Sequence, residues 1–260
     1  AILLGLLLAL GGACVPPPPP PPAPVSSPDV HSKRFSDILQ YYPPAEEPLK
    51  VRSLTSKTAA TLPPTARIHS VTVIVHPAYS LFFREERRST FTEAKYDLLK
   101  YQLDTEARFI SEIARTDNVL ILLLPGNYEK ESIAPRSYTT YLNSAAGDSQ
   151  TVFAIYSESW TSGTLSSDTM VTLYSFLRSV HTEQVLVGGG FIGRCQREFY
   201  SQMVAYVDKV TTYLVPEISS ISPDDISDLE AVTLLSSIRR NDFTPVRQFI
   251  SKRTQGGAMT

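Results

Sequence analysis

Runs of apolar residues alternate with amphipathic stretches along the chain from residue 67 onward. Five of the runs have the length of a buried strand and are almost uniformly apolar: 71–75, 119–124, 151–156, 185–187 and 211–215. Strands that are covered on both faces show such continuous apolar runs, whereas half-exposed strands alternate between apolar and polar residues. The runs therefore predict the central strands of a parallel sheet.

The stretches between and after these runs carry apolar residues at helical spacing. Helices are predicted over 90–115, over 168–180, from 194, over 229–239 and over 245–252. The apolar face of the first of these helices is predicted to contain Phe91, Ala94, Leu98, Tyr101, Thr105, Phe109 and Ile113. Strands that alternate with helices indicate an α/β fold, here a three-layer sandwich around a mostly parallel, doubly wound sheet of five or six strands. The polar stretch 126–149 is predicted to be a long loop or a lid.

Three regions of different composition divide the chain. Residues 1–13 are apolar and end in small residues, 14–66 are rich in proline, serine and threonine, and 67–260 hold the α/β domain with a helical C-terminal extension. Within the middle region one amphipathic turn is expected to dock on the domain, and it contains Phe35, Ile38, Leu39 and Tyr42. The rest of the middle region is predicted to be a linker.

The N-terminal apolar run resembles the hydrophobic and cleavage regions of an export signal. It is shorter than the roughly 20 residues that a membrane-spanning helix needs. Gly12 and Ala13 precede Cys14 as in bacterial lipoprotein signals, in which the cysteine is lipidated and becomes the mature N-terminus. Gly11 departs from that pattern, because leucine is usual there. We expect a signal peptide over 1–13 and lipidation of Cys14, with an ordinary secretory signal as the alternative.

An unbroken proline run follows the cysteine, from Pro16 to Pro22. Each residue of a polyproline II helix rises about 3.1 Å, so this run makes a semi-rigid spacer of about 20 Å. Such a spacer suits a domain that is held off a membrane surface. Val15 is not the aspartate that marks inner-membrane retention in enteric bacteria. The expected location is therefore the outer membrane of a bacterial cell envelope, facing the periplasm or the cell surface.

The charge of the chain argues against one class of partner. Its 260 residues include 24 basic and 26 acidic side chains, for a formal net charge of −2. Proteins that bind nucleic acid concentrate positive charge on one face, and no stretch of this chain clusters lysine and arginine. We expect no nucleic-acid partner.

The segment 184–217 combines an apolar strand, a run of glycines, an amphipathic helix and a second strand. The glycines at 188–190 and at 193 are predicted to form the turn, and Cys195 falls in the first turn of the helix. The positive end of a helix dipole stabilises a thiolate in that position. Any ligand site is expected in this segment.

The order of these elements resembles the isochorismatase-like cysteine hydrolases, an α/β family that includes the nicotinamidases. The resemblance covers about 67–220 and places Cys195 at the position of the nucleophile, with Gly189 six residues before it. The matching segments are 71–83, 164–165 with 177–178, and 185–195. The resemblance implies the same α/β topology, with the first strand next to the strand that leads to the cysteine.

Two of the three catalytic residues of that family are absent. His76 stands where the family has an aspartate, and the strand that should deliver a lysine contains none. Cysteine hydrolysis needs a thiolate, a proton shuttle and an electrostatic partner together. In an active enzyme, Cys195 and His76 would be the catalytic pair. In the alternative interpretation, Cys195 is a packed thiol and His76 a structural histidine at the end of a strand.

The same glycines also fit a dinucleotide-binding fingerprint. Gly188, Gly190 and Gly193 have the required spacing, and Glu217 closes the next strand, where an acid would bind a ribose. Against this, the unit is the last strand–helix–strand unit of the sheet, and too little chain follows it for a second nucleotide-binding half. These four residues are therefore weak cofactor-binding candidates beside plain helix–strand packing, and we expect no cofactor.

Metal chemistry has little support in the sequence, while loop aromatics suggest a contact surface. No carboxylate or second histidine stands at ligand spacing from His31, His69, His76 or His181, so no metal is expected. Aromatic residues at the ends of the sheet are candidates for contacts with a partner, and they are Tyr128, Tyr138, Tyr141 and Trp160.

These patterns predict a lipoprotein anchored to the membrane through Cys14. Its α/β domain is expected to be non-catalytic and to serve in the binding or assembly of an envelope complex, with an envelope protein as partner. An active cysteine hydrolase that uses Cys195 is the first alternative. A protein that binds a dinucleotide through Gly188–Gly193 is the second.

Overall fold

The computed structural model describes residues 33–44, 47–84, 90–126 and 136–255. Predictions that concern Cys14, the proline run, His31 and Tyr128 lie outside these residues. In chain order the elements are β1 (Lys33–Arg34), α1 (Ser36–Leu39), β2 (Arg52–Ser53), α2 (Thr58–Thr61), β3 (Arg67–Val75), α3 (Tyr79–Arg84), β4 (Thr90–Phe91), α4 (Glu93–Ala114), β5 (Asn118–Leu124), α5 (Arg136–Ala146), β6 (Val152–Tyr156), α6 (Ser167–Ser179), β7 (Gln184–Gly190), α7 (Cys195–Tyr206), β8 (Thr211–Ser220), a 3-10 turn (Pro223–Asp225), α8 (Asp228–Arg239) and α9 (Thr244–Gln255).

Six strands form one parallel sheet in the order β2-β6-β5-β3-β7-β8. The chain enters the sheet centre at β3, continues outward through β5 and β6, and then crosses to the other side of β3 for β7 and β8. All five predicted apolar runs are strands of this sheet. The predicted α/β fold is confirmed, as is the prediction that β3 and β7 are parallel neighbours, with Val75 paired to Gly189.

Helices cover both faces of the sheet, because each central strand is apolar on both sides. On one face, Ile74, Leu120 and Leu122 pack with the buried residues of α1, α4 and α5. On the other face, Val73 and Ile121 pack with the buried residues of α6 and α7. Because side chains alternate along each strand, they contribute to two separate cores, one on each face of the sheet. The result is the expected three-layer arrangement.

The segment 33–66, which its composition predicts to be largely linker, contributes several elements to the domain. The predicted docking turn is α1, and Phe35 and Ile38 are fully buried beneath it. Residues 52–53 form the edge strand β2, which pairs in parallel with β6. The linker prediction was wrong here because short apolar segments, separated by prolines, each pack at the periphery of a larger core.

Two other predictions need correction. Part of the predicted loop 126–149 is the helix α5, since Arg136–Ala146 is helical. The face of α4 predicted from spacing is also only partly the face that lies on the sheet, where Phe109 and Ile113 pack. Ala94, Leu98 and Tyr101 pack instead with the C-terminal helices. The side chains of α4 that are buried beneath it, apart from Leu98, repeat three and four residues apart, and they are Tyr96, Leu99, Leu103, Glu106 and Ile110.

The C-terminal extension packs on the domain as a pair of helices. α8 begins with a capping box, in which the Ser227 hydroxyl accepts from the Glu230 N–H and the Glu230 carboxylate accepts from the Ser227 N–H. Apolar residues of α8 and α9 form a third core with Leu98, Ile192 and Ile221. Among the described residues, no helix has the length and apolar character needed to cross a membrane.

The docking of α1 gives a test of the domain boundary. Phe35 is 0 % exposed and its ring packs edge-on against Phe91, with 6.3 Å between the ring centroids. We expect Phe35→Ala to lower the free energy of unfolding by about 3–5 kcal/mol, the usual cost of removing a buried phenylalanine. Urea denaturation measures this change.

The exposed Lys57 provides the control, and Lys57→Ala should change stability by less than about 0.5 kcal/mol. A Phe35→Ala variant as stable as the Lys57→Ala variant would show that α1 is not part of the folded domain.

Candidate functional site

The candidate site lies at the carboxyl ends of the parallel strands, between β3 and β7, where the order in which strands are added to the sheet reverses. In open α/β sheets, ligands bind in the crevice at this switch point. His76 directly follows β3, Ser157 follows β6, and Phe191 begins the turn from β7 to α7. The structure therefore brings the predicted residues His76 and Cys195 to the same edge of the sheet.

His76 is held by the end of β6. It is 1 % exposed, and its Nε2 lies 3.1 Å from the Ser157 hydroxyl oxygen. That hydroxyl donates its proton to the Ser159 carbonyl at 2.7 Å and accepts from the Gly126 N–H at 2.9 Å. Because the single hydroxyl proton is already used, Nε2 must be the donor to Ser157. Nδ1 is then the unprotonated nitrogen, and it has no partner among the described residues.

Burial also keeps His76 uncharged. The loss of hydration lowers the pKa of the imidazole to about 3, because charging a ring in the protein interior is unfavourable. A general base must accept a proton near neutral pH. His76 does not fulfil this condition in the present arrangement, and its hydrogen bond goes to Ser157 rather than to the thiol of Cys195.

Cys195 is a protonated, packed thiol. It is 5 % exposed, and its sulfur contacts the Thr161 carbonyl oxygen at 3.6 Å. Burial first, and the nearby Glu198 carboxylate second, raise the pKa of the thiol to about 12, against the smaller lowering effects of the Cys195 backbone N–H and of the Arg194 guanidinium. The helix N-terminus does not yield a thiolate in this environment, because desolvation outweighs the dipole, and the arrangement favours the interpretation of Cys195 as a packed thiol.

A loop lies over Cys195 and is fixed in place by Glu198. The Glu198 carboxylate accepts from the Ser162 hydroxyl at 3.0 Å and from the Gly163 N–H at 2.8 Å. Gly163 is so close to the cysteine backbone that a Cβ atom there would lie 1.9 Å from the Cys195 carbonyl oxygen. The loop after β6 therefore covers the first turn of α7.

Aromatic side chains fill the crevice between the two strand ends. Tyr79 packs against His76 with 4.8 Å between ring centroids and edge-on against Phe191 at 5.5 Å. The Tyr79 hydroxyl donates to the Trp160 carbonyl at 2.7 Å. Burial raises the pKa of Tyr79 above its ordinary value, so the phenol remains protonated. The protein's own side chains occupy the place where a doubly wound fold usually binds its ligand.

The glycine run does not form the predicted open turn. Residues 188–190 are the end of strand β7, and Gly188 and Gly190 pair with Ile74 and Ser220. A Cβ atom at Gly188 would lie 2.6 Å from the Ile218 side chain, and one at Gly193 would lie 2.8 Å from the Arg253 side chain. Close protein packing therefore accounts for these glycines, and no open cradle for a phosphate remains.

Glu217 also lies elsewhere than predicted. Strand β8 continues to Ser220, so Glu217 lies inside the strand rather than at its end. Its carboxylate forms an ion pair with Arg247 of α9. The four cofactor-binding candidates thus do not converge on one crevice.

The loop aromatics have different environments. Tyr138 and Tyr141 are fully buried in α5 rather than exposed in a loop, which corrects the prediction for these two residues. Trp160 is 36 % exposed. The structure describes no group of three or more His, Cys, Asp or Glu side chains, within 33–44, 47–84, 90–126 and 136–255, that is arranged to hold a metal ion.

Three residues that shape this region were missed from the sequence. Ser157 had a positional signal, since it directly follows a predicted strand. Glu106 also had a positional signal, since it continues the three-and-four spacing of the buried α4 residues. It was missed because only apolar residues were used to predict the buried face of α4. Glu198 had no clear signal, because its role depends on a loop that folds back from β6.

Comparison with known proteins adds no family assignment. No protein-family model matches the chain, and no curated protein matches it.

The environment of Cys195 predicts slow alkylation. A thiol with a raised pKa contains little thiolate near neutral pH, and its modest gain in nucleophilicity only partly compensates. We expect iodoacetamide to react about a hundredfold more slowly with folded protein than with a free model thiol near pH 7. The rate should rise about tenfold per pH unit from about pH 6 to pH 9 without a plateau, because the folded pKa lies above this range.

Mass spectrometry of the Cys195 peptide gives the rate at each pH, and urea-unfolded protein provides the control with an ordinary thiol. A plateau below pH 8, abolished by His76→Ala, would contradict this account and favour a reactive Cys–His pair.

Proposed function

We propose that the protein is a lipoprotein of the bacterial cell envelope whose α/β domain serves in binding or assembly rather than in catalysis. Cys14 carries the lipid, the proline run holds the domain away from the membrane surface, and an envelope protein is the partner. The outer membrane is the proposed location.

The observation that carries the non-catalytic role is the closed switch-point crevice. The rings of Tyr79 and Phe191 fill it, and the loop held by Glu198 covers Cys195. A substrate would have to displace both before it reached the sulfur. The thiol is also protonated near neutral pH, and the imidazole beside the crevice is bonded to Ser157.

The two alternatives have less support. A cysteine hydrolase would need a thiolate and a base that contacts it, and neither is present in this arrangement. A dinucleotide-binding protein would need glycine backbone that faces a ligand, whereas Gly188 and Gly193 face Ile218 and Arg253.

The membrane anchor is supported by the sequence. The short apolar run before Cys14 and the proline run after it are typical of lipoproteins with a spacer. Stable anchoring by acyl chains takes more than one chain, and the lipidated cysteine of bacterial lipoproteins is expected to supply this.

The two cysteines of the chain provide a matched pair of variants. We expect Cys14→Ser to lose incorporation of labelled palmitate and to move the protein from the membrane fraction to the soluble fraction. Cys195→Ala should keep both the label and the membrane location, and should sediment in a detergent extract as wild type does. Fractionation and sedimentation of cells that express each variant provide the readout.

A wild-type protein without label would refute the anchor. A loss of sedimenting complex in Cys195→Ala, with the fold intact by circular dichroism, would refute the proposal that the thiol is dispensable for assembly.

A further inference from the structure

A small cavity lies between α4 and β8, away from the switch-point crevice. Its volume is about 20 Å³, enough for roughly one water-sized group. β8 bulges beside it: a step of two residues along β7, from Val187 to Gly189, corresponds to a step of five along β8, from Leu214 to Ser219. Bulges of this kind bend a strand and re-aim its side chains, and they are frequent beside functional sites.

Hydrogen bonds fix the walls of the cavity. The Gln102 side chain accepts from the Ile221 N–H at 2.5 Å and donates to the Ile221 carbonyl at 3.4 Å, which ties α4 to the end of β8. The Ser219 hydroxyl donates to the Val215 carbonyl across the bulge at 2.7 Å and accepts from Gln196 at 2.7 Å. The cavity is therefore preformed rather than a gap between loose elements.

A buried acidic residue, Glu106, lines the cavity. Glu106 is 3 % exposed, and its Oε1 accepts from the Ala78 N–H at 2.5 Å and from the Tyr141 hydroxyl at 3.2 Å. The Ser220 side chain is a third polar contact of this carboxyl. Burial raises the pKa of Glu106 to about 8, and these three contacts oppose that effect. No cationic side chain among the described residues contributes to this pKa, so the carboxyl has hydrogen bonds but no counter-charge within the described part of the protein.

The remaining lining matches the chemistry of a small cation. Tyr101 and Phe243 supply aromatic rings, and aromatic faces attract ammonium groups. Glu217 adds a second carboxylate at the entrance, where it is also paired with Arg247, and its side chain is 40 % exposed, so the cavity reaches the surface there. A buried acid, two aromatic residues and a partly exposed acid thus surround a space of one small polar group.

We propose that this cavity binds a primary ammonium group, with Glu106 as the inner counter-charge, Tyr101 and Phe243 as aromatic walls and Glu217 at the entrance. The ammonium keeps its three protons. When it enters below about pH 8, the neutral Glu106 carboxyl loses its proton to the solvent and becomes the carboxylate partner. The inference goes beyond the proposed function and does not depend on it.

Isothermal titration of the full chain with methylammonium chloride tests the proposal, with sodium chloride at equal ionic strength as the blank. We expect saturable binding with a Kd on the order of 10 mM for so small a ligand. At about pH 7, titrations in two buffers of different ionisation enthalpy should show release of nearly one proton per ligand bound. This proton release is specific to a buried acid, since an exposed carboxylate is already ionised.

Variants separate the site from general charge effects. Glu106→Gln should weaken binding about tenfold or more and abolish proton release, because it removes the counter-charge. Thr105 lines the same cavity. The larger side chain of Thr105→Met should block entry of the ammonium group while Glu106 remains in place. The matched control is Glu112→Gln, an exposed glutamate on the same helix, which should bind as wild type does. If Glu106→Gln does not fold, Thr105→Met alone carries the test.

A second ligand distinguishes the two sources of an ammonium group. If the natural ligand is a lysine side chain of a partner protein, the peptide acetyl-Ala-Lys-Ala-amide should bind at least as tightly as methylammonium. If it is a free small amine, methylammonium should bind and the peptide should be excluded. The proposal is overturned if neither ligand binds above the sodium chloride blank, or if Thr105→Met and Glu106→Gln bind as wild type does.

Discussion

The structure depends on the close backbone contact between the first central strand and the glycine strand. Gly189 has a φ of +79°, and a Cβ atom there would lie 2.1 Å from the Val75 carbonyl oxygen. Only glycine permits this contact, because any side chain would clash and would also be strained at that φ. The contact fixes the points at which β3 and β7 end. It therefore places His76 and Cys195 at the same carboxyl end of the sheet.

The consequence of that placement is a crevice that the protein fills itself. Tyr79 begins α3, shortly after β3, and Phe191 lies in the turn after β7, and their rings meet between the two strands. His76 and Ala78 have φ values of 44° and 48°, a conformation that costs energy for residues other than glycine. The surrounding hydrogen bonds hold this strained turn, including the bond from the Ala78 N–H to Glu106. The same turn therefore couples the closed crevice to the buried acid beside the cavity.

Much of the architecture was predictable because buried strands and amphipathic helices leave strong patterns. The five strands and the parallel sheet followed from periodicity and length, whereas the adjacency of the strands that hold Val75 and Gly189 was implied by the family resemblance. The environment of Cys195 was not predictable in the same way. A helix N-terminus favours a thiolate, but the burial imposed by a loop held through Glu198 and Gly163 is a long-range contact that no local pattern encodes. Edge strands such as β2 were not predicted because an element of two residues is too short to leave a periodic signal.

These contacts close the switch-point crevice around a neutral, structural histidine. Nitrogen-15 NMR of the His76 ring, followed from about pH 5 to pH 8, tests this arrangement directly. A closed crevice predicts a single tautomer, protonated at Nε2 and unprotonated at Nδ1, with no titration over this range. Titration of His76 near the ordinary histidine value of about 6.5, or a proton at Nδ1, would contradict it.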